Sequence, residues 1–206
     1  MSARHKSVGR QKDPEKRDRI LAAARKVFLL RGFGAATIEA IASEAGVSKV
    51  TVYGHFGTLE ALLHAVVLAE ADSINSAISR PLVQSDTLIE DVINFGIHLL
   101  STLRERNTLD FEHLVAARAT QQPELVTAYF VSGRARGMEL LAKLMRPDIG
   151  EKAVEAAEML FALWSGGDQH RVLLGLRGPL SDDEIDCHVR FCVDVIGKAY
   201  SLDERK

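Results

Sequence analysis

Two cysteines in 206 residues are too few for the disulfide framework that staples small secreted domains. Cys187 and Cys192 stand five apart on an expected helix, so their thiols fall on different faces, unsuited to a bridge or a shared metal. Both are expected to pack in a core, and a reducing cytoplasm suits them. No apolar run approaches the roughly 18–20 residues a membrane span needs, so no membrane partner is expected. Arg4, Lys6, Arg10 and Lys12 make the N-terminus basic, but no apolar stretch follows, and the segment does not read as a secretory signal. No segment alternates apolar and polar residues with period two, so the fold class is expected to be all-α. Internal repeats and low-complexity tracts are also missing. A glycine-rich phosphate loop, His-Glu-x-x-His and Gly-x-Ser-x-Gly are absent as well. Asp186-Cys187-His188 holds a nucleophile and a base, yet neighbours on a helix do not face each other. Neither an enzyme nor a cofactor or metal site is expected.

What is present is a chain with 47% hydrophobic and 26% charged residues, enough to bury a sizeable core as one domain or two. Its formal charge of −2 hides an asymmetry. Residues 1–60 carry 11 Lys/Arg against 6 Asp/Glu, and residues 61–206 carry 15 against 22. A basic N-terminal piece on an acidic body implies that the first piece alone meets a polyanion.

Residues 37–56 point the same way. Ile38, Ile41, Ala42 and Ala45 make a short helical stripe that runs into Gly46, a natural left-handed cap. Ser48 then caps a second short helix through Lys49, Val50, Thr51, Val52 and Tyr53. Two helices joined by a tight glycine turn form a helix-turn-helix, whose second helix can enter the DNA major groove. Ser48, Lys49, Val50 and Thr51 lie on its N-terminal part. Lys49 can meet guanine acceptors or a phosphate, and Val50 and the Thr51 methyl can pack on thymine methyls. Thr37 offers a hydroxyl and helix N-terminal amides to a phosphate.

The string Thr37-x3-Ile41-Ala42-x2-Ala45-Gly46-Val47-Ser48-Lys49-x-Thr51-x-Tyr53-x-His55-Phe56, followed by Glu60, Leu62 and Leu63, resembles the DNA-binding domain of TetR-type regulators. The resemblance implies that Tyr53 and His55 contact phosphates. Two positions depart from the family pattern. Val50 stands where many relatives have Gly, and Leu59 stands where a Lys is usual, which removes one phosphate contact. The stretch from Glu112 to Gly175, with Pro123-Glu124-Leu125 and Trp164-Ser165-Gly166-Gly167, is similar to one C-terminal subgroup of that family.

Three regions are expected: a basic arm over 1–12, a helix-turn-helix domain over 13–57, and a helical ligand-binding and dimerisation domain over 58–206. Asp13-Pro14-Glu15 reads as a helix start. The DNA-binding domain is expected to pack around Phe28, Phe33, Ile38, Ile41, Val47 and Phe56. Thr58 caps a helix stopped near Pro81, and further helices are expected at about 86–105, 110–121, 123–145, 151–175 and 181–202. Ser181 to Glu184 reads as a capping box.

The last two of these helices carry surplus apolar faces, over 159–166 and at Phe191 and Val195. A two-fold dimer would cover them, with Val193 on the seam. A dimer also suits a pseudo-palindromic double-stranded operator, and the resemblance implies the same assembly. Phe95, His98, Phe111, His113, Tyr129 and Trp164 on the middle helices are candidates to line a pocket for a small, largely apolar effector. A larger residue at Gly96 should shrink that pocket. Arg118 and Arg134 are expected at the surface or in interhelical pairs. The expected function is a ligand-released homodimeric repressor. An effector-independent architectural binder and an activator are the alternatives.

Overall fold

A computed structural model describes residues 14–79 and 85–202, all helix and connecting turns without a strand. The basic arm, Asp13 and Pro81 lie outside these residues. The chain divides into two compact units, the first ending at Val66 and the second beginning at Val67. The division falls inside a helix, not at position 58.

In the first unit α1 (Pro14–Arg31) opens on its proline and ends before Gly32, whose φ is 70°. A short 3-10 turn, Phe33–Ala35, leads to α2 (Ile38–Ala45). Thr37 caps α2, its Oγ1 accepting the Ala40 amide at 3.2 Å. Gly46 closes α2 at φ 63°, ψ 40°, a left-handed turn that a side chain would strain. The helix α3 (Lys49–Phe56) starts two residues later. Ile20, Ala24, Phe28, Ile41 and Val52 are fully buried or nearly so. Of the expected core, Phe33, Val47 and Phe56 are only half-buried. Val52, which looks inward from α3, takes the central place.

The helix α4 (Leu59–Ser79) passes through both units. Against the sequence expectation, it is long and apolar enough to cross a membrane by length and composition alone. Leu62, Leu63, Val66, Val67, Ala71 and Ile78 are nonetheless buried in protein, which marks it as a core helix.

In the second unit α5 (Leu88–Leu103), α8 (Arg136–Ile149), α9 (Lys152–Ser165) and α11 (Asp182–Tyr200) pack on one another around Leu88, Leu100, Leu141, Leu160, Trp164 and Val189. A close approach uses Gly96. A Cβ there would lie 2.7 Å from Trp164 Cζ2 and 2.8 Å from Val189 Cγ1, so Gly96 is a packing contact and not the edge of a pocket.

The remaining boundaries shift for local reasons. The helix α6 (Arg106–Ala116) begins before Asn107-Thr108, and Thr108 is buried inside it rather than ending a helix. The expected helix from 123 is continuous through α7 (Pro123–Phe130), a widened π turn (Val131–Ala135) and α8. Pro147 sits in the last turn of α8, and Gly150 at φ 60° ends the helix. The expected helix over 151–175 breaks where Gly167 takes φ 53°, leaving α9 and a short α10 (Gly167–Leu173). Ser181 and Glu184 form the expected capping box of α11.

Candidate functional site

The start of α3 is built by its own hydroxyls. Ser48 Oγ accepts the Thr51 amide at 3.1 Å and lies 2.9 Å from Thr51 Oγ1, so both groups are engaged in capping the helix. Outside this cap the solvent face presents Lys49, Val50 and Tyr53. Val50 is 80% exposed and Tyr53 52%, unusual for an apolar and an aromatic side chain that no neighbour covers. Thr37 is exposed at the start of α2. His55 is half-buried, its ring 6.1 Å from that of Phe56, and its Nδ1 is enclosed without a hydrogen-bond partner. One participant was missed from sequence. Glu39 Oε1 on α2 holds Lys49 Nζ at 2.7 Å, and this bond holds the Glu39 carboxyl below the usual carboxylate range. The i+10 spacing across the turn gives no helical signal for that pair.

A second feature lies wholly inside the second unit. A cavity of about 230 Å³ is walled by α4, α5, α6, α7, the π turn, α8 and α9, mostly with hydrocarbon such as Ile74, Ile78, Leu99 and Phe161. Its polar residues are Asn75, Glu112, Tyr129, Arg134 and Ser165. Arg134, expected at the surface or in an interhelical pair, is half-buried here. It donates to Ser165 Oγ at 2.9 Å and lays its guanidinium 5.5 Å from the Phe161 ring centre.

Of the six pocket candidates only Tyr129 lines this cavity. Phe95 and Trp164 are core residues with stacked rings 6.4 Å apart. Phe111 is fully buried behind Tyr129, 6.1 Å between ring centres. His98 Nδ1 is bonded within its own helix to the Asn94 carbonyl at 2.7 Å, and His113 Nε2 meets the Leu173 carbonyl. These five do not line this cavity, and the sequence does not show it because apolar helices carry aromatic and histidine residues on core faces and cavity faces alike. Asn75 and Glu112, polar residues that do line it, are the clearer signal in the sequence. Asn75 is a polar residue inside the Ile74–Ile78 apolar stripe.

The outer faces of α9 and α11 carry Met159, Leu163, Phe191 and Val195, each more than two-fifths exposed. Cys187, expected in the core, is exposed on the same stripe of α11, whereas Cys192 is buried. Val193 is 1% exposed within its own protomer. It is core and cannot be the seam.

Residues 20–66 match the family model for bacterial regulatory proteins of the tetR family. Residues 90–202, more than half the chain, match that of the AefR-like transcriptional repressor C-terminal domain. The chain belongs to the TetR family. TetR-family proteins are regulatory and DNA-binding rather than enzymatic, and they bind operators as dimers. The Escherichia coli K12 regulator UidR is 32% identical over 81 residues, 38% of this chain. This chain spans only 41% of UidR's length. A TetR-family regulator from Mesorhizobium loti superposes with a TM-score of 0.80 at 24% identity, covering 93% of this chain and 99% of that one. The flavonoid-responsive regulator FrrA gives 0.73 at 27% identity, over 91% and 97%.

Proposed function

We propose that this protein is a homodimeric transcriptional repressor that binds a pseudo-palindromic operator and is released from it by a small, largely apolar effector, in the cytoplasm. The observation that carries the reading is the bare apolar and basic face of α3. Val50 and Tyr53 stand in solvent beside Lys49, on a helix whose capping groups are already satisfied. Such a face gains by packing Val50 on thymine methyls and placing Lys49 on base or phosphate acceptors. Tyr53, Thr37 and His55 serve the phosphates. Repression is favoured over activation by the C-terminal match to a repressor family, which covers most of the unit holding the cavity but not its α4 wall.

Dimerisation through α9 and α11 accounts for the exposed Met159, Leu163, Phe191 and Val195 and supplies two recognition helices for half-sites about 34–36 Å apart. The cavity of the second unit is the effector site, lined by Tyr129 and its polar neighbours. The flavonoid response in FrrA's name supports an aromatic effector. Because α4 runs on from the first unit into the second, a ligand pressing on Ile74 and Ile78 acts on the same helix that starts in the DNA-binding unit. The effector must prefer the DNA-incompetent state, and operator DNA then weakens effector binding by the same factor, typically about 5–150-fold.

Footprinting on the protein's own upstream DNA tests the reading. Tyr53→Phe should weaken binding to all sequences alike, and Lys49→Ala should in addition relax base preference, a good bidentate contact being worth about 1–3 kcal/mol. Equal protection of every duplex would sink the operator reading in favour of a non-specific binder.

A further inference from the structure

Arg134, in the π turn, brings a cation to the cavity, and its guanidinium is only partly engaged. Nη1 donates to Ser165 Oγ at 2.9 Å. Ser165 Oγ donates its own proton to the Phe161 carbonyl, so it meets Arg134 purely as an acceptor. The Phe161 ring centre is 5.5 Å from the guanidinium carbon. Both partners are neutral and both line the cavity, which puts the charged end of Arg134 at the cavity wall. Among the described residues Nε and Nη2 have no hydrogen-bond partner, and unlike Asn75 Oδ1 neither is enclosed. These two nitrogens form one edge of the guanidinium, and such an edge takes a carboxylate bidentately.

The countercharge supplied by the protein is weak. Glu112 on α6 acts on Arg134 through space, without a hydrogen bond. Burial raises the Glu112 carboxyl above its usual range and outweighs the charges of His113 and Arg134, which lower it. The cavity thus favours the uncharged acid. Burial also works against the Arg134 charge, but an arginine stays protonated in a protein. A cation held among hydrocarbon, with no anion in contact among the described residues, is relieved by a negative charge on a ligand. A protonated Glu112 adds a donor for the same anion. Volume sets the size. A cavity of 150 Å³ takes benzene, so about 230 Å³ holds an aromatic body together with a carboxylate.

We infer that the cavity takes an apolar aromatic monocarboxylate, its carboxylate paired with the Nε–Nη2 edge of Arg134 and its ring against Ile74, Ile78 and Leu99. The regulatory consequence rests on the reading of the cavity as the effector site, whereas the binding chemistry stands on Arg134 itself.

The test is calorimetric titration of the full chain with β-naphthoate, its neutral isostere β-naphthamide and the cation β-naphthylmethylammonium. Naphthoate should bind about 10- to 100-fold more tightly than the amide, the difference made by hydrogen bonds to a charged group, and the ammonium should bind least. Arg134→Met should level naphthoate with the amide, with a thermal melt checking the fold. Glu112→Gln, which fixes the uncharged form, should bind naphthoate at least as tightly as the parent. The comparison of ligands on the unaltered protein stands even where a variant does not fold. An amide or ammonium that matches naphthoate, or absence of binding by all three, overturns the inference. So does a naphthoate preference that survives Arg134→Met, or a folded Glu112→Gln that loses naphthoate. A second arm measures release of the operator complex. Naphthoate that binds through Arg134 and leaves operator affinity unchanged overturns the effector reading and keeps the carboxylate site.

Discussion

Phe191→Ala should weaken the dimer without unfolding the protomer. The ring is 67% exposed on the outer face of α11, so two-thirds of its apolar surface is still in water when the protomer has finished folding. Burying a whole Phe side chain is worth about 1.5–3 kcal/mol. Two-thirds of that, counted twice because a two-fold interface loses both copies, comes to about 2–4 kcal/mol. At 1.4 kcal/mol per tenfold, the dimer Kd should rise roughly 30- to 700-fold. Val193→Glu is the contrasting perturbation. Val193 is 1% exposed in its own protomer, so the charge enters a core and has to be met by unfolding rather than by dissociation. Sedimentation equilibrium over a range of concentrations, with thermal melts by circular dichroism, separates the two effects. Phe191→Ala should shift the association and leave the far-ultraviolet spectrum unchanged. An unaltered dimer Kd for Phe191→Ala, or dissociation of Val193→Glu into protomers with an undisturbed melt, would refute the assignment of these two faces.

Gly96→Ala should destabilise the second unit by about 1–3 kcal/mol, the usual range for overpacking a core, because the new methyl meets Trp164 and Val189 within 3 Å; a melt equal to the parent's would show that the helices separate freely there. Glu112 supplies a pH dependence. Its folded pKa is raised by burial, so the protonated form is favoured in the fold, and its contribution to stability is fully present below the ordinary glutamate pKa of about 4.3 and lost as pH rises through the raised value. Denaturant titrations against pH should therefore show the parent losing stability relative to Glu112→Gln as pH rises through that window; parallel curves would count against a raised Glu112.

Much of the helix-capping pattern in both units was legible because its signals are local. Thr37, Gly46, Ser48 and the Ser181–Glu184 box each act on backbone groups within three or four residues, and capping chemistry needs no tertiary partner to be recognised. Likewise Phe191 and Val195 could be read as surplus, since helical period alone places them off the stripe of Ile185, Val189 and Cys192. Period puts Val193 on that stripe as well, but it could not say that the stripe is covered within the same protomer, because α5, which packs on α11, is far away in the chain.

The sequence by itself determined the helices, their caps, the helix-turn-helix and the division of charge, all of which follow from residue type and short spacing. Tertiary structure decided the cavity. Asn75, Glu112, Arg134 and Ser165 meet only when α4, α6, the π turn and α9 are packed. Which polar residue of an apolar helix is left facing empty space depends on the volumes of side chains far away in the chain. The same packing put Trp164 and Phe95 into the core, since Gly96 lets α5 close on α9 until no room remains between them.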